Sequence, residues 1–180
     1  TIGPAVEAGI PVRVLSAKEP KKIGTTIVTH PVTDIVVAGI AIKKGVILAK
    51  ISSGEIAASA LNLSAIFSAL EAKKFVPLAL ALTSDNIMIA LEGIDNYSEL
   101  HEEIDRLATL RFLHQRALIT LVGDGLSTNP GIASRLFAAM KNFNCEMISF
   151  GSLPNAIHIA IPESEVESAV GSIHREFFNS

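Results

Sequence analysis

The residues best placed to do chemistry lie in two loops, each running from an apolar strand into a helix. The first, SSGEIAASALN at 52–62, gathers Ser53, Gly54, Glu55, Ile56 and Ser59 at the start of a helix. A small polar ligand needs acceptors for its cationic groups, donors for its anionic ones and a neighbour that measures its shape. Polar side chains beside the open amides of a helix start supply the first two. The opposing wall comes from the next strand and its turn, 78–82 and 84–86, which adds Leu78, Leu80, Ser84 and Asp85. The second loop, GDGLSTNPGIAS at 123–134, sets Asp124, Asn129, Gly131 and Ile132 around another helix start. Asn129 either caps that helix, with Pro130 in its first turn, or touches a ligand. A plain structural reading stands beside the binding one for both loops: Ser and Asn cap the helices and the glycines turn the chain.

Other reactive residues do not assemble into a mechanism. His101, His114, His158 and His174 are dispersed without a metal-ligand spacing, so no metal site is expected. Ser127 and the single cysteine, Cys145, have no base nearby in the pattern, and Cys145 reads as an inert, buried thiol. Glu102, Glu103 and Asp105 read as the wet face of a helix rather than paired acids. No Gly-rich phosphate loop followed by Lys is present, nor a constellation to hold ATP and magnesium, so no catalytic residue and no cofactor is expected in this segment.

Composition narrows the class further. Of 180 residues, 49% are apolar and 18% charged, with mean hydropathy +0.44, a balance opposite to that of a disordered chain. A net charge of -3, with the basic residues scattered, gives no footprint for nucleic acid. The longest apolar stretches, such as FVPLALAL at 75–82, fall far short of a membrane span, so a soluble, cytoplasmic protein with no membrane partner is expected. The chain opens at Thr1 in material that reads as the middle of a protein, so a longer parent is expected.

The organisation that positions the loops is a repeat. Residues 1–32 are punctuated by Gly3, Pro4, Gly9, Pro11, Pro20 and Pro31 and read as a connector with short strands at 10–15 and 24–28. From there one order of elements occurs twice, about 70 residues apart. Strands KKGVILAKIS (43–52) and QRALITLVGD (115–124) open the two copies. Helices follow at 61–74, with Leu63, Ile66, Phe67 and Leu70 as its stripe, and at 130–143, with Ile132, Leu136, Phe137 and Met140. Strand pairs come next, including IMIAL at 87–91 and IHIAI at 157–161, and helices at 98–108 and 163–178 end each copy. The first copy is closed by TLRFLH at 109–114, while the second lacks a closing strand. DIVVAGIAI at 34–42 has no partner in its own copy and is expected to supply it. The predicted class is α+β: two ferredoxin-like βαββαβ domains, 43–114 and 34–42 plus 115–180. Both faces of the predicted sheets are apolar, so the face away from the helices is expected to be buried against another such unit.

With these segments in place, the chain resembles the C-terminal third of monofunctional aspartate kinase. IPVRVLSAKEPKKIGTTIV (10–28) is similar to that family's exit from its kinase domain. VVAGIAIKKGVILAKISS (36–53) is similar to the entry into its first ACT domain, and LITLVGDGLSTNPGIASRLFAAM (118–140) to the start of its second. The resemblance implies tandem ACT domains that sense an end-product amino acid, of lysine or threonine type, at domain interfaces. It also implies a homodimer through the ACT domains and a kinase domain on the same full-length chain, which would use ATP and magnesium to phosphorylate L-aspartate. Lysine-sensitive members usually carry an aspartate early in the second strand of the first domain and a glycine just before its first helix. The matching positions here are Leu78 or Leu80, and Leu61, so the resemblance leaves lysine, threonine, another amino acid or no effector as alternatives. An assembly module without effector and a freestanding amino-acid sensor are the competing readings.

Overall fold

The computed structural model describes residues 3–19, 22–28, 36–52, 60–92, 97–105, 108–151 and 155–178. The chain divides into two units, Thr1–Asp34 and Ile35–Ser180. The first contains a short helix, α1 (Gly3–Glu7), and two strands, β1 (Val12–Val14) and β2 (Thr25–Ile27), paired antiparallel with Val12 opposite Ile27. The two strands fall where the sequence places them; the helix was not expected.

The second unit is built on two long antiparallel strands, β3 (Val37–Ser52) and β6 (Thr109–Gly123). Between them in sequence lie α2 (Ala60–Ala72), β4 (Pro77–Leu82), β5 (Asn86–Glu92) and α3 (Tyr97–Ile104). After β6 come α4 (Ile132–Ala139), β7 (Met147–Phe150), β8 (Ala156–Pro162), a 3-10 turn at Glu163–Glu165 and α5 (Val166–Phe178). The strand order is β4-β5-β3-β6-β8-β7.

The break expected between 34–42 and 43–52 does not occur, and neither does the one expected between 109–114 and 115–124. Each pair of segments is one continuous strand. Gly45 at φ +69° and Gln115 at φ +57° mark the crossing, where the β3–β6 register shifts between Lys43 and Leu48. A bulge absorbs extra residues, bends the strand and lets the ladder continue. Beyond the crossing, β3 pairs with β5 from Val46 to Ser52; on the other side, β6 pairs with β8 from Arg116 to Val122. Residues 37–43 thus complete the second half-sheet and 109–114 the first.

Alternation along the strands sorts the apolar residues into three clusters. Ile51, Ile87, Ile89 and Leu91 pack with Ile66, Leu70, Leu100 and Ile104 from α2 and α3. Ile119, Leu121, Ile157, Ile159 and Ile161 pack with Leu136, Val166, Ala169 and Ile173 from α4 and α5. The third cluster joins the opposite faces of the two halves: Val46, Leu48, Ala79 and Ala90 from one, Leu118, Met147 and Ala160 from the other. The end strands β4 and β7 also touch, so the sheet curls around this cluster. The second sheet face is therefore buried, as its pattern requires, and the covering unit is the other repeat of the same chain.

Helix boundaries follow local chemistry. Pro162 precedes the last helical segment, and Glu163, Glu165 and Glu167 crowd its first turns, where carboxylates complement the exposed amides. Phe67 and Phe137, expected in the buried stripes, are 38% and 45% exposed instead. They hold equivalent positions in the two repeats, at the rim of each stripe.

Candidate functional site

In the first repeat, residues 53–59 lie outside the described residues, and with them Ser53, Gly54, Glu55, Ile56 and Ser59. The side chain of Leu61 lies outside them too. The ground next to that loop is described. Ser52, the last residue of β3, stands opposite Asn86, the first of β5, and its hydroxyl donates to Asn86 Oδ1 at 2.7 Å. Ser52 thus ends β3 beside the β4–β5 turn.

That turn is closed on itself. Thr83 N–H donates to the Asn86 carbonyl at 2.9 Å, and Asn86 N–H donates back to Thr83 Oγ1 at 3.1 Å. Thr83 Oγ1 also lies 3.1 Å from Asp85 Oδ1 as donor. This hydrogen bond foremost, with one from Asn86 second, holds the Asp85 carboxyl below its ordinary range. Asp85 is a fixed negative charge facing solvent, an acceptor suited to an ammonium group, and Ser84 sits beside it. Leu80 and Leu78 face opposite ways: Leu80 packs on the helix-side core and Leu78 on the cluster between the half-sheets. Both are used for packing, and neither carries a group that pairs with an amine.

In the second repeat, Leu126 is 1% exposed and pins the 123–131 loop to the core. The Gly125 carbonyl accepts from Thr128 N–H (3.0 Å), Asn129 N–H (2.9 Å) and Asn129 Nδ2 (2.8 Å). This corrects the capping role expected of Asn129: its side chain closes the turn. Helix α4 starts at Ile132, with Gly131 as its N-cap at φ +89° and no side-chain cap, so Pro130 precedes the helix rather than sitting in its first turn. The positive φ explains the glycine, since L side chains rarely adopt it. Ile132 is buried in the core, so only its backbone can face a ligand. Asp124 is exposed, and its N–H donates to the Val36 carbonyl at 2.9 Å.

A feature that the sequence reading did not single out lies at the strand crossing. A cleft of about 420 Å³ is lined by Lys44, Gln115, Arg116, Pro162, Glu163 and Ser164. Its charges are paired: Lys44 with Glu167 at 2.7 Å, Arg116 with Glu146 by two bonds, and Glu163 Oε2 with Gly45 N–H at 2.9 Å. Lys43 pairs with Glu92 on the other side of the crossing. Of three successive residues, Lys43 is thereby tied to the first repeat, and Lys44 and Gly45 to the second. The Lys44 ammonium is held above its ordinary range by its hydrogen bond to Glu167. His158, one of the dispersed histidines, lies on the sheet face away from the helices, with Nδ1 3.0 Å from Thr120 Oγ1. Burial lowers its pKa. Burial likewise raises that of the half-buried Cys145 thiol, with the Glu165 charge adding, which favours the protonated form.

Residues 119–177 match the model of the ACT domain. The second repeat is therefore similar to an ACT domain. The chain is 29% identical to aspartokinase 1 of Arabidopsis thaliana over 98% of its length and 33% of that protein. It is 25% identical to the lysine-sensitive aspartokinase 3 of Escherichia coli over 99% of this chain and 41% of that protein. Among solved structures, the aspartate kinase of Clostridium acetobutylicum superposes with a TM-score of 0.87 at 26% identity, over 98% of this chain and 44% of that one. A putative C-terminal regulatory domain of aspartate kinase from Porphyromonas gingivalis shares the fold over 81% of this chain and all of that one, with a TM-score of 0.72 at 18% identity. The chain is thus similar to aspartokinases along nearly its whole length, and it spans about a third to two fifths of the length of the curated relatives it matches.

Proposed function

We propose that this chain is the amino-acid-sensing region of an aspartate kinase. An end-product amino acid of lysine or threonine type binds at an ACT interface and shifts the activity of a kinase domain on the same full-length chain. The ATP and magnesium of that reaction, the phosphorylation of L-aspartate, belong in this proposal to the kinase domain. The observation that carries the reading is the shared pair of strands: β3 and β6 each run through both repeats, so a displacement at one end is passed mechanically to the other. The Asp85 turn beside the end of β3 supplies an anionic contact for an effector's ammonium, and amides at the start of the following helix suit its carboxylate. Coupling of this kind is a difference in effector affinity between two arrangements of the pair, about 1–3 kcal/mol in typical cases.

A second reading is favoured by Leu78 and Leu80, both engaged in packing where lysine-sensitive members of the family usually carry an aspartate. In it the ACT pair only assembles subunits. Aspartate phosphorylation by the full-length parent, measured against rising lysine and threonine, separates the two. Saturable inhibition by either amino acid supports sensing. Full activity at all concentrations of both, in an assembled enzyme, supports the assembly module.

A further inference from the structure

Charge is matched in one polar cleft of the structure and unmatched in another. At the strand crossing, Lys44, Arg116 and Glu163 each have a partner. A second groove, of about 360 Å³, lies where the end of α4 meets α5 and is lined by Lys141, Asn142, Ser172, Arg175 and Glu176 together with two alanines of α4. The Glu176 carboxylate is already taken: Arg135 Nε donates to its Oε1 at 2.8 Å, and Arg135 Nη2 donates to the Glu176 carbonyl at 2.6 Å. The same guanidinium lies 4.6 Å from the centre of the Phe177 ring, which holds it in place. Among the described residues, Lys141 has no ion pair, and Arg175 donates only to Ser172 Oγ, at 3.1 Å. Two positive charges therefore line one groove without a counter-charge, in a chain whose net charge is -3. Arg175 is in the last turn of α5 and Lys141 follows the end of α4, where cations complement the open carbonyls of helix ends. That role explains the sign of each residue on its own helix. It does not explain why both meet two neutral donors, the Asn142 amide and the Ser172 hydroxyl, in one cleft.

We propose that this groove binds a phosphate group, free or as a monoester. A phosphate dianion meets both cations at once, the guanidinium offering paired N–H donors in a plane and the ammonium a compact charge. Its oxygens also provide acceptors for Asn142 Nδ2 and for the Ser172 hydroxyl, which is left free to donate while its oxygen accepts from Arg175. A single carboxylate would leave one of the two cations unmatched. Small-molecule pockets run from about 300 to 1,000 Å³, so the groove has room for the phosphate and a small organic group. Its residues lie in the second repeat alone and outside both effector loops, so the inference goes beyond amino-acid sensing and is tested apart from it.

The test follows the backbone amide resonances of the isotope-labelled chain through a titration with inorganic phosphate, at an ionic strength held constant with chloride. The expected result is saturable shifts at Asn142, Ser172 and Arg175. Binding should weaken about tenfold in Lys141→Gln and in Arg175→Gln and stay unchanged in Lys44→Gln, which removes the same charge from the strand crossing. Because the Lys141 side chain has no ion pair to lose, Lys141→Gln keeps the test valid even where Arg175→Gln fails to fold. Shifts that never saturate, or equal weakening in all three variants, overturn the site. Saturable binding that Lys141→Gln leaves untouched overturns it as well. A parallel titration with glycerol phosphate distinguishes the two sources of the group. Tighter binding than inorganic phosphate assigns the groove to a monoester, and equal or weaker binding assigns it to free phosphate.

Discussion

Arg116 and Glu146 form a two-point pair, with Nε donating to Oε2 at 2.6 Å and Nη2 to Oε1 at 2.8 Å. Their side chains are only 21% and 15% exposed, and Arg116 Nη1 also donates to the His114 carbonyl at 2.6 Å. Arg116 follows Gln115 at the crossing of the long strands, and Glu146 leads into β7 at the edge of the second half-sheet. One guanidinium therefore fixes the bend of β6 to the strand that closes against the other half.

Removing one member of this pair leaves a poorly solvated charge behind. Glu146→Ala is expected to lower stability by about 1–3 kcal/mol, read from the midpoint of urea unfolding. Lys44→Ala, which removes an exposed pair with Glu167, is expected to leave that midpoint unchanged. Equal effects from the two variants would contradict the special place given to Arg116.

Leu48 and Leu118 occupy equivalent places in the two repeats and meet in the cluster between the half-sheets, 0% and 4% exposed. Either one changed to Ala is expected to cost about 2–5 kcal/mol. Because the cluster belongs to both halves, unfolding should remain a single transition detected alike by probes in each half. Two separate transitions in the unmodified chain would show that the repeats are not coupled through it.

Gly123 is set by a close approach of backbone. A Cβ there would lie 1.8 Å from the Val36 carbonyl oxygen, whereas one at Gly39 would meet open space. Gly123→Ala is expected to be severely destabilising and Gly39→Ala near neutral, measured by thermal unfolding. The reverse order would refute the described junction between the start of β3 and the end of β6.

His158 gives the fold a pH dependence of known sign. Its folded pKa lies below the ordinary 6.5 because burial disfavours the charged ring. As pH falls below 6.5 the unfolded chain takes up the proton first, so this residue's contribution favours unfolding progressively until the folded pKa is passed. Stability should therefore drop as pH falls through 6.5 toward the lowered folded pKa, and His158→Gln should flatten that slope. An unchanged slope in the variant would place the titrating group elsewhere.

Much of this was legible in the sequence, for reasons particular residues show. The strict alternation in IMIAL and IHIAI assigns Ile87, Ile89 and Leu91, and likewise Ile157, Ile159 and Ile161, to the helix-side cores, where they lie. The missing closing strand of the second repeat was recovered from 34–42, and residues 37–43 do pair with β6. The continuity of β3 and β6 was not legible, because a Gly at 45 looks like a turn until the ladder on both sides of it is seen. Phe67 and Phe137 were misplaced because a helical stripe identifies a face without fixing its rim. Asn129 before Pro130 looks like a cap in one dimension, yet the Gly125 carbonyl, four residues back, takes its side chain. At the candidate effector site the neighbouring turn was legible, as was the polar character of the loop.

The central claim is that this tandem ACT region senses an amino acid. Calorimetric titration of the chain with lysine and with threonine tests it most directly. The account predicts saturable binding of at least one of them, with a rise in unfolding temperature at the same concentrations. No heat and no stabilisation from either, in a protein shown to be folded, would contradict it and leave assembly as the function of the ACT pair.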